Sequence, residues 1–230
     1  MEMTKTNKII LSAVAILVLV GLYVLLDGRS RGVEEGIGNN EAVATTTGNK
    51  VTLPSGVEYE IQKIDSPTSV PKPIPNLDRV LVKSSLAVNV SAQEISSAAP
   101  KIKELQDFLK TKPEVVAAWI DLGSYQKSAG DYDGAIISWE YASKLDTKNF
   151  VALGNIGNLY GLHMKNVGMS DTYYRRAIAR AKGESYLYAQ LAEVYQYVGK
   201  NITKAKAALN EGLKAIPNDP NLTFLLSELE

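Results

Sequence analysis

The sequence predicts an all-α chain: a stack of helical hairpins standing behind a membrane-spanning helix. Three observations predict it. A helix–turn–helix pattern recurs about three times towards the C-terminus, at a period of about 34 residues. Within each copy the apolar residues fall at i, i+3 and i+4, the helical spacing, and not at alternate positions. Residues 9–26 form an uncharged run of 18 residues without proline. A repeat of this length builds a quasi-linear stack, in which each unit touches its neighbours and offers a binding surface instead of a catalytic pocket.

Taken in order, a tail of residues 1–8 precedes the apolar run. As a helix, 9–26 spans about 27 Å, close to the hydrocarbon thickness. A secretory signal has a shorter apolar core and a small-x-small cleavage site. Here the run ends Tyr23, Val24, Leu25, Leu26, Asp27, Gly28, Arg29, with no such site. An uncleaved single-pass anchor is expected. Lys5 and Lys8 on one side balance Arg29 and Arg31 on the other, so the positive-inside rule does not fix the orientation. The short leading tail favours a place in the cell membrane with the C-terminal domain extracytoplasmic. The absence of cysteine fits an oxidising exterior without requiring one, and it excludes a lipid-modified cysteine.

Residues 27–90 are expected to form a tether, mostly irregular. Its first part, 27–49, is rich in Gly, Asn, Thr and Glu and poor in large apolar residues, the composition of a disordered segment. In 50–64, Val51, Leu53, then Val57, Tyr59 and Ile61 flank Pro54, Ser55 and Gly56, which reads as a small β-hairpin. A lone hairpin is marginal in water and needs something to pack on. The prolines of 66–75 imply a stiff, extended piece. Val80, Leu81, Val82, Leu86, Val88 and Val90 then suggest an extended arm that lies along the helices.

The helical domain is placed at 91–230. Ser91 and Glu94 have the spacing of a capping box. A helix is read over 100–112, with Pro100 in its first turn and Ile102, Leu105, Phe108 and Leu109 on one face; it is expected to cap the stack as the remnant second helix of a fourth unit. Three units follow, at about 116–149, 150–183 and 185–218. In the first, Trp119, Leu122 and Gly123 share a helix face. Gly130, Asp131 and Tyr132 make the turn, and Ala135, Trp139, Ala142 and Leu145 return on the second helix. Small residues at Gly123 and Ala135 let the backbones approach, with Trp139 beside them. The second unit offers Leu153, Ile156, Gly157 and Tyr160, then Tyr174, Ala177 and Ile178, with one extra residue expected near 165–168. The third offers Tyr188, Leu191, Ala192 and Tyr195, a turn at Gly199 and Lys200 holding another extra residue, then Ala205, Leu209, Gly212 and Pro217. A short last helix from Pro220 carries Leu222, Leu225, Leu226 and Leu229 on one side and caps the stack.

On these residues the chain resembles the tetratricopeptide repeat family. The first unit matches its Trp, Leu, Gly, Ala, aromatic and Ala positions at Trp119, Leu122, Gly123, Ala135, Trp139 and Ala142. Thr147 stands in place of the closing proline, and Ser170 in place of the mid-repeat alanine of the second unit. The resemblance implies a right-handed superhelix whose concave face, lined by the first helix of each unit, binds an extended peptide or a partner subunit. Carried over position by position, that face comprises Ala117, Ile120, Ser124 and Lys127, then Val151, Gly154, Asn158 and Gly161, then Tyr186, Ala189, Glu193, Gln196 and Tyr197. Family members that grip acidic tails use several cations; here only Lys127 is basic. A neutral or apolar extended ligand is therefore expected, contacted by Ile120, Asn158, Tyr186 and Tyr197, with Asn158 bonding its backbone. Occupation of the face by the chain's own hairpin or arm is a second expectation. Self-association, or bracing of a membrane-bound complex without a peptide ligand, is the structural alternative.

Composition narrows the remaining classes. There are 25 basic and 25 acidic residues, hence no net charge, and one histidine. No basic face for nucleic acid is visible; Lys200, Lys204, Lys206 and Lys214 read as a solvated helix face. Several imidazole or thiolate ligands cannot come from one chain of this composition. His163 sits at a predicted helix end, where the dipole favours a cation. The glycines at 28 and at 154 and 157 lack the strand–loop–helix context of a phosphate loop. Asp131 and Asp133 are turn residues. No catalytic, cofactor-binding or metal-ligating residue is assigned, and no enzyme activity is expected. Asn89, Asn201 and Asn221 form Asn-x-Ser/Thr triplets at a frequency chance allows.

Overall fold

The computed structural model describes residues 45–47, 50–60 and 70–229. The proposed anchor at 9–26 lies outside the described residues. Among the described residues no helix is long and apolar enough to cross a membrane.

Three pairs of antiparallel helices form the body. In the first unit α2 (Val116–Ser128) is followed by α3 (Tyr132–Leu145). The second has α4 (Val151–Asn158) and α5 (Val167–Arg180), and the third α6 (Ser185–Glu193) and α7 (Ile202–Ala215). Helix α1 (Ala92–Thr111) precedes them and α8 (Pro220–Ser227) follows. The second helices begin at 132, 167 and 202, so the structural period is 35 residues. Each is capped alike, the side chains of Asp131, Asn166 and Asn201 accepting from the backbone N–H three residues on. The residue before each cap has positive φ: Gly130 at 80°, Lys165 at 55° and Lys200 at 51°. Only glycine takes that conformation freely, so the two lysines are held there by the turn.

The extra residue of units two and three is not in the turn. It is absorbed one turn earlier, where α4 runs on as a π-helical turn at Leu159–His163 and α6 does the same at Val194–Val198. Met164 N–H then reaches Leu159 O at 3.0 Å and Gly199 N–H reaches Val194 O at 2.9 Å, each spanning five residues. A π-bulge takes up one residue without breaking the helix, and the turn that follows keeps the same geometry.

Close approach fixes the hairpins. A Cβ on Gly123 would stand 2.5 Å from Trp139 Nε1, and one on Gly157 would stand 2.9 Å from the Tyr174 ring. Trp139 donates its indole N–H to Ile120 O at 2.9 Å, so the ring is held both by shape and by a hydrogen bond. Trp119 donates to Pro113 O at 2.9 Å, and Tyr188, its counterpart in the third unit, to Lys182 O at 3.1 Å. Ser170 is fully buried, yet its hydroxyl donates to Gly157 O at 2.8 Å. The serine thus meets the alanine position without an orphaned hydroxyl.

The N-terminal end departs most from expectation. Ser91 and Glu94 form the capping box, at 3.2 Å and 2.7 Å, but one helix runs through Pro100, which lies inside α1. Pro100 is exposed, so its missing N–H and its ring fall on the water side. The face with Ala98, Ile102, Leu105, Phe108 and Leu109 is buried. Segment 70–90, whose later part is the arm expected along the helices, is held by specific hydrogen bonds from its proline-rich start onwards. Tyr141 donates to Pro71 O at 2.8 Å, Gln106 Nε2 to Arg79 O at 3.0 Å, and Ser84 N–H to Gly130 O at 2.8 Å. Arg79 forms a forked ion pair with buried Asp131. Ala87 is buried, and a Cβ added to Gly130 would meet it at 2.8 Å. The contacts of this arm are with α1, the turn before α3, and α3.

Three short strands, β1 (Thr45–Thr47), β2 (Lys50–Thr52) and β3 (Glu58–Glu60), pair antiparallel in that order. The sequence predicts two strands over 50–64; the sheet has a third, β1, ahead of them, and residues 61–64 lie outside the described residues. Val51, Leu53 and Tyr59 are buried. Tyr59 stacks on Phe108 at 5.6 Å and donates to Asp121 at 2.7 Å, while Ser55 N–H donates to Glu104 at 2.7 Å. Glu104, Leu105 and Phe108 stand 34 positions before Ser138, Trp139 and Ala142, the residues by which α3 packs on its own first helix. Helix α1 is thus the second helix of an incomplete unit, and the small sheet covers the face a first helix would take.

The packing predicts one large mutational effect. Ala135 is fully buried opposite α2. Ala135→Leu lowers stability by about 1–3 kcal/mol through overpacking. Chemical denaturation measures it, and a midpoint equal to wild type shows that the two helices do not meet there.

Candidate ligand-binding face of the first helices

Helices α2, α4 and α6 each turn one stripe towards their own second helix. The opposite stripe is free of that duty. Ile120 and Lys127 on α2 are half-buried and Ser124 is exposed, its hydroxyl turned back onto Ile120 O at 2.9 Å. On α4, Val151 is exposed and Asn158 half-buried. On α6, Tyr186 and Tyr197 are 39% and 48% exposed and Glu193 is half-buried between them in sequence. Two positions carried over from the family do not line this face. Gly161 is buried, and a Cβ there would meet Val194 Cγ2 at 2.5 Å and Ser170 Oγ at 2.7 Å. Gly154 is buried against Leu187. Unit two therefore contributes chiefly Val151 and Asn158.

The structure gathers part of the set. Tyr174 on α5 is fully buried, and its hydroxyl reaches between α4 and α6, where it donates to Gln190 Oε1 at 3.2 Å. Asn158 lies beside the same hydroxyl, and Glu193 and Tyr186 are near enough to act on it electrostatically. Burial, more than these neighbours, pushes the Tyr174 phenol up. Tyr186 packs against Phe150 at 6.4 Å, and burial, then Glu184, pushes it up to about 12. Asn158, Tyr186 and Glu193 thus form one neighbourhood around Tyr174 and Gln190. Lys127 belongs to a separate one, beside His163.

Two charges on this face are held at a cost. Burial lowers the Lys127 ammonium below the ordinary lysine value and raises the Glu193 carboxyl above the ordinary glutamate value. Neither has an ion-pair partner among the described residues. His163 is lowered by partial burial, then by Lys127 and Lys165. Among the described residues no group of three or more His, Cys, Asp or Glu side chains could hold a metal ion.

Sequence reasoning missed Phe150, Tyr174 and Gln190. Tyr174 occupies the position of Trp139 and reads as core, which it is; nothing in the register shows that its hydroxyl reaches Asn158 and Gln190. Gln190 had a usable signal, since Tyr186, Gln190, Glu193 and Tyr197 follow one another at spacings of 4, 3 and 4, a single helix stripe.

No family model matches the chain. Among solved structures it is similar to the C-terminal part of a tetratricopeptide repeat-containing protein from Cytophaga hutchinsonii. That likeness has 18% identity and a TM-score of 0.50, over 60% of this chain and 54% of the other. It is also similar to MamA, at 22% identity and a TM-score of 0.48, over 58% of this chain and 77% of MamA. Among curated proteins it is similar to the general transcriptional corepressor trfA of Dictyostelium discoideum, 26% identical over 133 residues. The match covers 57% of this chain and only 9% of that protein. The helical hairpins have the tetratricopeptide-repeat fold.

The raised Glu193 carboxyl has a consequence for stability. Below the ordinary glutamate value of 4.5 both the folded and the unfolded chain hold the proton. As the pH rises past it, the unfolded chain ionises first and folding loses stability. Glu193→Gln therefore raises the melting temperature at pH 7 by about 1 °C, the small size expected of a half-exposed group, and leaves it unchanged at pH 4. Melting curves at the two pH values measure this; a loss of stability at pH 7 contradicts it.

Proposed function

We propose that the protein is a membrane-anchored interaction module whose first-helix face receives an extended peptide segment or a partner subunit. One observation carries the reading. That face carries half-exposed Tyr186 and Tyr197, and half-buried Lys127 and Glu193, neither with an ion-pair partner among the described residues. Exposed aromatics and unpaired charges on a rigid face are what an interface needs. Ile120, Ser124 and Asn158 complete the contact set, with the Asn158 amide suited to bond a ligand backbone.

A second reading is structural: the domain self-associates or braces a membrane-bound complex. Its support is the arm, where Val80 and Val88 are each 77% exposed, Val82 58% and Leu86 48%. Contiguous apolar exposure of this kind marks interaction surfaces. Size-exclusion chromatography with light scattering separates the readings. A peptide receptor stays monomeric across concentrations and is captured by extended peptides; a brace forms a defined oligomer and ignores them.

The membrane part of the proposal rests on the sequence. Residues 9–26 anchor the chain once, in the cell membrane, with the helical domain extracytoplasmic. Carbonate-washed membranes are expected to retain the full chain, and a chain starting at Lys50 to remain in the supernatant. Added protease is expected to digest the domain on intact cells. Release of the intact chain by carbonate, or a mature N-terminus just after Leu26, overturns the anchor; a protected domain overturns the orientation.

A further inference from the structure

We infer that Glu193, framed by Tyr186 and Tyr197 on one stripe of α6, is the seat of a lysine or arginine side chain, and that the ligand is an extended segment with one basic residue among neutral or apolar neighbours. The inference rests on the first reading under Proposed function and gives its ligand a chemistry. It departs from the neutral or apolar ligand expected from the face residues that the family resemblance implies.

The argument is one of complementarity. A carboxylate can only accept hydrogen bonds. The Tyr174 hydroxyl, close enough to feel Glu193, is already donated to Gln190 at 3.2 Å. No lysine or arginine among the described residues forms an ion pair with Glu193, and burial is the one influence acting on its proton. The group is thus partly withdrawn from water and given no counter-charge by the fold, unlike Asp131, which is buried and paired with Arg79. Its surroundings suit a cation. Tyr186 and Tyr197 lie seven residues before it and four after, on the same stripe, and both are partly exposed. Tyrosine rings attract ammonium and guanidinium groups over their faces, and a charge-assisted hydrogen bond to the carboxylate fixes the position. Lys127 stands on α2, beside His163, and belongs to the other end of the face.

The test uses the full-length chain in mild detergent and an array of random-sequence nonapeptides. Lysine or arginine is expected to be enriched at one position among the bound peptides. Replacing that residue by glutamate in the best binders, with the protein unchanged, is expected to weaken binding at least tenfold. Glu193→Gln removes the enrichment, Glu193→Lys turns it into a preference for aspartate and glutamate, and Lys127→Ala leaves it as it was. Peptides that bind with no basic preference, or a preference that survives Glu193→Gln, overturn the inference and leave the peptide-binding reading standing. A chain that binds no peptide on the array overturns both.

Discussion

Each hairpin closes where a small residue on its first helix faces a large one on its second. Gly123 opposes Trp139 and Gly157 opposes Tyr174, with no space for a Cβ in either case. In the third unit the corresponding residues are Ala192 and Leu209, both buried: as the large residue shrinks, the small one grows. Interiors packed to crystal density respond to single methyl groups, so the two residues exchange volume to fill each hairpin's interior. Turns, caps and ligand face all take their positions from it. The second helices repeat at 35 residues, each opened by a matching Asx cap.

That constraint was legible in the sequence. Trp119, Leu122, Gly123, Ala135 and Trp139 announce a helix pair by type and spacing alone, and the units follow from them. What stayed hidden has physical reasons. The count showed one surplus residue in units two and three, and a loop is the usual place for one. The caps explain why it lies elsewhere. Asn166 and Asn201 require a fixed turn before them, with a positive φ at Lys165 and Lys200. The surplus is therefore pushed back into the helix as a π-turn, where it costs one widened hydrogen-bonded ring instead of a cap. Sequence spacing counts residues but does not weigh these two costs.

The partners of the N-terminal segment were hidden for a different reason. An arm over 80–90 was expected along the helices, but no local pattern encodes what the segment touches. Its contacts are made one at a time by residues far apart in sequence, such as Arg79 with Asp131 and Pro71 with Tyr141. Asp131 also caps α3 through Gly134 N–H at 3.1 Å. One carboxylate thereby ties the arm to the turn of the first unit, and it is among the few charged groups in the domain to be almost wholly buried. The small sheet behaves likewise: Tyr59 reads as one more alternating aromatic until α1 is recognised as a second helix lacking its first.

The candidate face was legible in position and not in chemistry. A family register tells which residues point away from the second helix; it does not tell which are left unsatisfied. In a stack, stability comes from the inner stripe of each helix and from the neighbouring unit, so the outer stripe is free to vary. A residue that stands there at a cost to folding is informative in a way that Trp119 or Leu153 is not. Glu193 and Lys127 are of that kind, since burial disfavours the charge of each and nothing among the described residues offsets it. Asp131 shows that this fold can bury a carboxylate and supply its partner. Where it withholds one, on a face with half-exposed tyrosines, the missing counter-charge is most simply furnished by what binds there.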